Sequence, residues 1–310
     1  MRRLLAGGWA VLLLLAGCSA GGEREDSDSG LNLSPRQNRI TATRVERVAA
    51  LVPEHIRRNG VLRIGGTIDN TPPLSCYATD NKTPIGFEAD IAVLVAGVMG
   101  LTPERDITSW ENMFLGVDSG RYDVAFSNIS VTEERKKKYD FATYRRDRLG
   151  FEAREDADFK VRKAADLAGK RVALASGSTQ EKIMLEWSAE NRGAGLRPIE
   201  IQYYQKASDY YLALQSGRVD VYVGPSSSVV YHAKTTGQTK LVGVVDSVTD
   251  TIDSQVGAMS RKGDGTAEAV TAALNELIRN GKYRKVLERW GLGDQKLPAS
   301  RVNPPVGEGK

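Results

Sequence analysis

Histidine and cysteine are scarce, two of each in 310 residues. No Cys-x-x-Cys and no His-Glu-x-x-His occurs, which excludes the usual zinc and iron–sulfur frameworks. A Gly-x-Ser-x-Gly elbow and a phosphate loop ending in Lys-Ser or Lys-Thr are also missing. After the first seventeen residues no apolar run approaches the ~20 residues that span a bilayer. Neither sign of charge dominates: 43 basic and 39 acidic residues leave +4 and are interspersed, which removes the basic footprint of a nucleic-acid binder. Hydrophobic residues at 41% supply sizeable cores, so the chain is neither disordered nor collagen-like. Its length points to about two domains. What remains is a two-domain binder or a carboxylate-based enzyme, with no cofactor and no metal required. His55 and His232 lie in polar helical contexts and read as surface residues.

Residues 1–17 read as a secretion signal, with Arg2 and Arg3 before the apolar stretch Trp9 to Leu15. Leu15-Ala16-Gly17-Cys18 resembles the bacterial lipobox. That resemblance implies a lipidated Cys18 and an extracytoplasmic protein held at the cell membrane. Cys76 is then the one thiol left, which forms no internal disulfide. No histidine lies nearby to activate it, so it reads as a small buried residue beside the Pro72-Pro73 turn. Residues 18–42, rich in Ser, Gly and charge, are expected to be a flexible tether. Residues 43–59 carry apolar Val45, Val48, Ala49, Val52 and Ile56 at helical spacing, interrupted by Pro53. They are expected to form an adapter helix ending at Asn59-Gly60.

An internal repeat organises the rest. Ser119-Gly120-Arg121-Tyr122-Asp123-Val124 returns in the second half as Ser216-Gly217-Arg218-Val219-Asp220-Val221. Each copy follows a helical segment and enters an apolar run. The glycine suits a left-handed helix terminus, and the valine run suits a buried strand. Each half also opens on a short strand, Val61 to Ile64 and Arg171 to Leu174. Two α/β lobes follow, each expected around its own mostly parallel sheet. Ile91, Leu94, Val95, Val98 and Met99 mark a core-facing helix, as do Val270, Ala273, Leu274, Leu277 and Ile278.

Two segments look suited to anions. Ser127 to Arg135 leaves a strand, turns through hydroxyl residues and starts a helix with Thr132 as N-cap. Arg135, one turn in, can grip a carboxylate by charge-assisted hydrogen bonds. Ser176 to Glu181 starts another helix, with Ser178 and Glu181 at capping-box spacing. Both lie after strands, where α/β sheets place ligands, so together they define a candidate cleft.

These residues resemble the polar-amino-acid class of solute-binding proteins that serve ABC importers. The resemblance runs from about Gly60 to Leu292. It rests on Leu62-Arg63-Ile64-Gly65, Gly86-Phe87-Glu88-Ala89-Asp90-Ile91, Ser109-Trp110-Glu111-Asn112, Ser130-Val131-Thr132-Glu133-Glu134-Arg135, Gly177-Ser178-Thr179-Gln180-Glu181 and Tyr283-Arg284-Lys285-Val286-Leu287. It implies the two-lobed periplasmic-binding-protein fold with two crossover strands, near Tyr144 to Gly150 and Val245 to Gln255. Lobe 1 would comprise 60–147 and 250–293, lobe 2 would comprise 148–249, and 294–310 would be a tail. It also implies an amino-acid-like solute, ABC permease subunits as partners, a monomer and no enzyme activity. Arg135 and Ser130 would hold the ligand carboxylate, the Asn128 carbonyl would accept from its ammonium, and Trp110 would form a wall. Thr179 and Gln180, beside Ser178, would contact the carboxylate end from lobe 2.

Two departures stand out. Thr71 occupies the place of an aromatic before Pro72-Pro73, and Pro225 that of the acid binding the ammonium. An ammonium left without a carboxylate would be poorly compensated in a closed cleft. Asp69, Glu88 or Asp253 could replace it, Asp69 first because it adjoins the first-strand loop. Otherwise the ligand is no ordinary α-amino acid. The competing readings are a dehydratase-like lyase on the same scaffold, with Glu88 or Asp69 as acid or base, and a ligand-binding sensor.

Overall fold

The computed structural model describes residues 30–68, 71–246 and 252–306, without the side chain of Asp253. The expected signal peptide, Cys18 and Asp69 lie outside them. Among the described residues no helix is long and apolar enough to cross a membrane.

Lobe 1 is built on β1 (Val61–Gly66), β2 (Thr102–Ile107), β3 (Val124–Ala125), β4 (Ser130–Thr132) and β5 (Tyr139–Arg146). Lobe 2 holds β6 (Arg148–Arg154), β7 (Arg171–Leu174), β8 (Glu200–Tyr203), β9 (Val221–Pro225) and β10 (Thr239–Asp246), and β11 (Ile252–Arg261) returns to lobe 1. The sheet orders are β2-β1-β3-β11-β4, with β5 also on β11, and β8-β7-β9-β6-β10. The chain therefore passes between lobes twice, at Asp147 and between Asp246 and Ile252.

The expectation of mostly parallel sheets needs correcting. Only the core of each half-repeat is parallel, with β1 beside β2 and β3, and β7 beside β8 and β9. The strands that leave or enter a crossover, β6, β10 and β11, pair antiparallel with their neighbours. Strands entering from the other lobe run against those that started within it.

The repeat has a physical explanation. In lobe 1 Asp123 accepts from the backbone N–H of Arg63 at 2.9 Å and from its guanidinium. In lobe 2 Asp220 accepts from the backbone N–H of Arg171 at 2.8 Å and from its guanidinium at 2.6 Å. Each aspartate pins the start of its first strand to the strand that follows the repeat. Gly120 and Gly217 turn the chain there with φ of 73° and 71°, values that only glycine adopts freely.

The Asp220 pair also carries a pH dependence. Burial pushes its carboxyl up, but the Arg171 guanidinium and backbone N–H outweigh that and hold it below the usual aspartate range. A pKa depressed by folding stabilises above the unfolded value of about 3.9 and loses that contribution as pH falls through the folded value. Asp220→Asn should therefore lower the unfolding free energy measured in urea at pH 7 by up to about 1 kcal/mol, because the pair is part-exposed. The gap to wild type should narrow as pH falls below the ordinary aspartate range and close once the folded carboxyl is protonated. A gap unchanged from pH 7 to that point would rule out the carboxylate charge as its source.

The helices are α1 (Glu46–Ala49), α2 (Glu54–Asn59), α3 (Phe87–Met99), α4 (Trp110–Asp118), α5 (Glu133–Lys136), α6 (Thr179–Gly193), α7 (Ala207–Gln215), α8 (Ser226–Thr236), α9 (Thr266–Arg279) and α10 (Lys282–Arg289). The stripe Ile91, Leu94, Val95, Val98 and Met99 is buried in the lobe 1 core, each large side chain contributing roughly 1.5–3 kcal/mol. Cys76 is buried there as well.

The N-terminal expectations change. The adapter helix over 43–59 is two short helices, α1 and α2, because Pro53 supplies no N–H to continue a single one. The flexible tether expected over 18–42 does not extend to residues 30–42, which pack on lobe 1. Leu31 joins its core, and Arg39 pairs with buried Asp90 at 2.8 Å. Arg289 donates to the carbonyl of Asn38 at 3.1 Å and Lys282 to that of Thr41 at 2.7 Å. Gly97 of α3 admits the Ala42 carbonyl, which would stand 2.7 Å from a Cβ there.

Candidate functional site

Parallel strands end on one side of each lobe, and those ends face each other. Between them lies a cavity of about 330 Å³. Thr67 follows β1, Thr108 to Trp110 follow β2, and Ser127 and Asn128 follow β3. From lobe 2, Ser178 follows β7, Tyr204 to Lys206 follow β8, and Pro225 ends β9. This is where an α/β sheet exposes loop backbone and helix starts to a ligand. Another cavity of about 370 Å³ lies beside the crossover, lined by Arg148, Tyr231, Trp290 and Asp294 among others. It includes none of the site residues expected from the sequence.

Arg135 sits where the lobes meet. Thr132 caps its backbone N–H at 3.1 Å, although α5 is a single turn with no appreciable dipole of its own. The guanidinium donates to the Ser130 carbonyl at 3.0 Å, and across the cleft to the Gly177 carbonyl at 3.2 Å and the Thr179 hydroxyl at 3.4 Å. It stacks 5.4 Å from the Trp110 ring and 5.5 Å from Phe114. Burial brings its pKa down to about 10, against the pull of Glu134 and Tyr139, so it stays charged at neutral pH. Among the described residues no carboxylate forms an ion pair with it.

The other expected residues divide. Trp110, Asn128, Ser178 and Gln180 line the cavity. Ser130 reaches Arg135 through its carbonyl and Thr179 through its hydroxyl. The Ser178 hydroxyl is engaged locally, capping the Glu181 N–H at 3.2 Å and donating to the Ala175 carbonyl at 2.6 Å. Thr71 is buried and paired with Ser75 in a short bridge, outside the cavity wall. Pro225 does face the cavity.

Glu88 lies at the cavity floor, 1% exposed. Burial raises its pKa, while Arg145, the Tyr144 hydroxyl, Arg105 and the Asn128 N–H favour the charged form. Tyr144 donates to it at 2.7 Å, and Arg145 stands 3.9 Å away. One carboxylate oxygen has no hydrogen-bond partner among the described residues.

Part of the lobe 2 wall lies beyond the residues expected from the sequence. Tyr204, Gln205, Lys206, Tyr210 and Tyr222 line it, with the Tyr210 and Tyr222 rings stacked at 3.9 Å. The strand-end rule that located the other two segments, applied after β8, would have found Tyr204 to Lys206. His232 also differs from its expected surface position: its Nδ1 lies 2.5 Å from Glu152, which is fully buried in lobe 2.

Two α/β lobes, joined by crossover strands around a polar cleft without a metal cluster among the described residues, define the class of two-lobed binding proteins. The chain belongs to the bacterial extracellular solute-binding proteins, family 3, whose model matches residues 62–293. The L-cystine-binding protein TcyJ of Escherichia coli (strain K12) is 27% identical over 237 residues, covering 76% of this chain and 84% of its own length. An ancestral arginine-binding protein, solved bound to arginine, superposes with TM-score 0.65 at 27% identity, covering 74% of this chain and 98% of that one. The ancestral amino-acid-binding protein AncCDT-1, a precursor of cyclohexadienyl dehydratase, gives TM-score 0.63 at 25% identity, covering 78% and 98%.

Proposed function

We propose that this protein is the lipid-anchored binding subunit of an ABC importer. It captures a small polar solute bearing a carboxylate, an amino acid or a derivative, by closing its lobes. The observation that carries this reading is Arg135: a cation at the lobe junction, walled by Trp110 and Phe114, whose present partners are neutral acceptors. A carboxylate that displaces the Gly177 carbonyl brings a full negative charge to the guanidinium and can take two parallel hydrogen bonds from it. Thr179, Gln180 and the Asn128 backbone complete the contacts from both lobes. Closure is then favoured by the ligand's higher affinity for the closed form, and the importer meets a surface that exists only with solute inside. Lipid on Cys18 keeps the loaded protein near the permease.

Relatives named for cystine and arginine set the first probes. Calorimetry with L-cystine, L-arginine and a panel of other amino acids and dicarboxylates should find saturable one-to-one binding. The reading fails if no carboxylate-bearing member of the panel binds.

One observation favours a second reading. Glu88 is a buried carboxyl with a raised pKa on the cavity wall, the environment of a general acid. Elimination from prephenate-like substrates, followed by proton NMR, distinguishes a lyase from a binder.

A further inference from the structure

Contacts from the crossover converge on Asn128. This residue has φ of 51°, in the left-handed region that asparagine enters more readily than other non-glycine residues, and here its side chain is held from two sides. Both holders are charged side chains. The Arg145 guanidinium donates to Asn128 Oδ1, and Asn128 Nδ2 donates to Asp147 Oδ2 at 3.0 Å. The amide has one consistent orientation, since its oxygen must face the guanidinium and its nitrogen the carboxylate. Both partners belong to the hinge. Arg145 lies in β5, fully buried, with bonds to Gln295 and to the Arg146 carbonyl. Asp147 stands where the chain enters lobe 2, and its N–H donates to the Ser254 carbonyl of β11 at 2.7 Å. One residue thus ties Asn128 to both crossover strands.

A buried guanidinium is a costly way to fill space, and such groups persist where they fix one arrangement among several. We propose that Arg145 and Asp147 are positioning residues: they clamp Asn128 in its left-handed conformation and so tie the solute contact at Asn128 to the crossover. The proposal rests on the cleft reading above in taking Asn128 as a solute contact. Neither residue touches the solute. Each acts through Asn128, so the cleft wall is correct only while the crossover holds its present geometry.

A double-mutant cycle tests the clamp. Glycine adopts the left-handed conformation without support, so Asn128→Gly removes both side-chain contacts while keeping that conformation accessible. Arg145→Met, Asp147→Ala and Asn128→Gly would be made singly and in pairs. L-arginine and L-cystine binding would be read by calorimetry, and amide exchange over residues 127–130 in the unliganded protein. Asp147→Ala should weaken the binding probe at least tenfold and accelerate exchange in the Asn128 background. Both effects should be several-fold smaller in the Asn128→Gly background, where the direct Arg145–Asp147 contact at 3.5 Å remains to be lost, the non-additivity of a shared mechanism. Equal effects in both backgrounds, or no effect in the first, overturn the clamp. Should Arg145→Met fail to fold, because it strips Glu88 of its cation, Asp147→Ala carries the test alone. Should neither probe bind wild type, the cleft reading loses its solutes, and the exchange arm still decides whether the clamp exists.

Discussion

Replacing Arg135 by methionine should abolish measurable solute binding while leaving the fold intact. A carboxylate buried against a guanidinium contributes about 2–5 kcal/mol when one partner is removed, which is on the order of thirtyfold to several thousandfold in affinity. The guanidinium's present partners are the Ser130 and Gly177 carbonyls and the Thr179 hydroxyl, and bonds from a charged donor are worth about 1.5–3 kcal/mol each, so the melt of the unliganded variant is recorded beside its binding. Arg135→Lys should fall between, because an ammonium keeps the charge but cannot form the planar two-pronged contact. With the guanidinium pKa at about 10, affinity should not vary from pH 6 to 9 through this group. Calorimetry on the three proteins checks the order. Undiminished binding in Arg135→Met would remove Arg135 from the site.

The parts of this structure that were legible in the sequence are those fixed by short-range pattern. The α3 stripe shows because its five apolar residues repeat at 3.6-residue spacing and meet one core. The repeat shows because Asp123 and Asp220 solve the same local problem, anchoring the first strand of each lobe. Arg135 and Ser178 show because caps and strand ends constrain residue type within a few positions. What stayed hidden depends on contacts between distant segments. Residues 30–42 read as a polar tether, yet Arg289 and Lys282 take their carbonyls, which composition near residue 40 does not encode. The antiparallel strands follow from where the crossover enters, a property of the whole topology. Pro225 illustrates both sides. The family resemblance implies an acid there, and Pro225 lines the cavity, but what meets an ammonium is a question of side chains from several strands. Glu88 and Glu111 are carboxylates on the cavity wall, and Glu88 already answers to Tyr144 and Arg145.

The second large effect concerns stability. His232→Ala should destabilise lobe 2 by about 1–3 kcal/mol, the cost of leaving a buried polar group without its hydrogen-bond partner. Glu152 is 0% exposed. One of its oxygens is shared by His232 Nδ1 and the Thr239 hydroxyl, and the other has no hydrogen-bond partner among the described residues. His232 in turn stacks on Tyr211 at 3.5 Å with planes 9° apart, which holds the imidazole over the carboxylate. In thermal melts the loss corresponds to roughly 5–20 °C for a lobe of this size. Two further variants separate packing from polarity. His232→Phe restores the stack without the ring nitrogen, and should remain nearly as unstable as His232→Ala. Glu152→Gln in the His232→Ala background removes the charge that needs a partner, and should recover much of the loss. Had the imidazole served only to fill space against Tyr211, His232→Phe would melt like wild type, and Glu152→Gln would bring no recovery. The pair matters for function as well, because Glu152 lies in β6, the strand that carries the chain out of the crossover, and β9, which ends at Pro225 in the cleft wall, is hydrogen-bonded beside it. Because β6 also carries Leu149, Phe151 and Ala153 of the lobe 2 core, solute binding to His232→Ala should fail as lobe 2 melts.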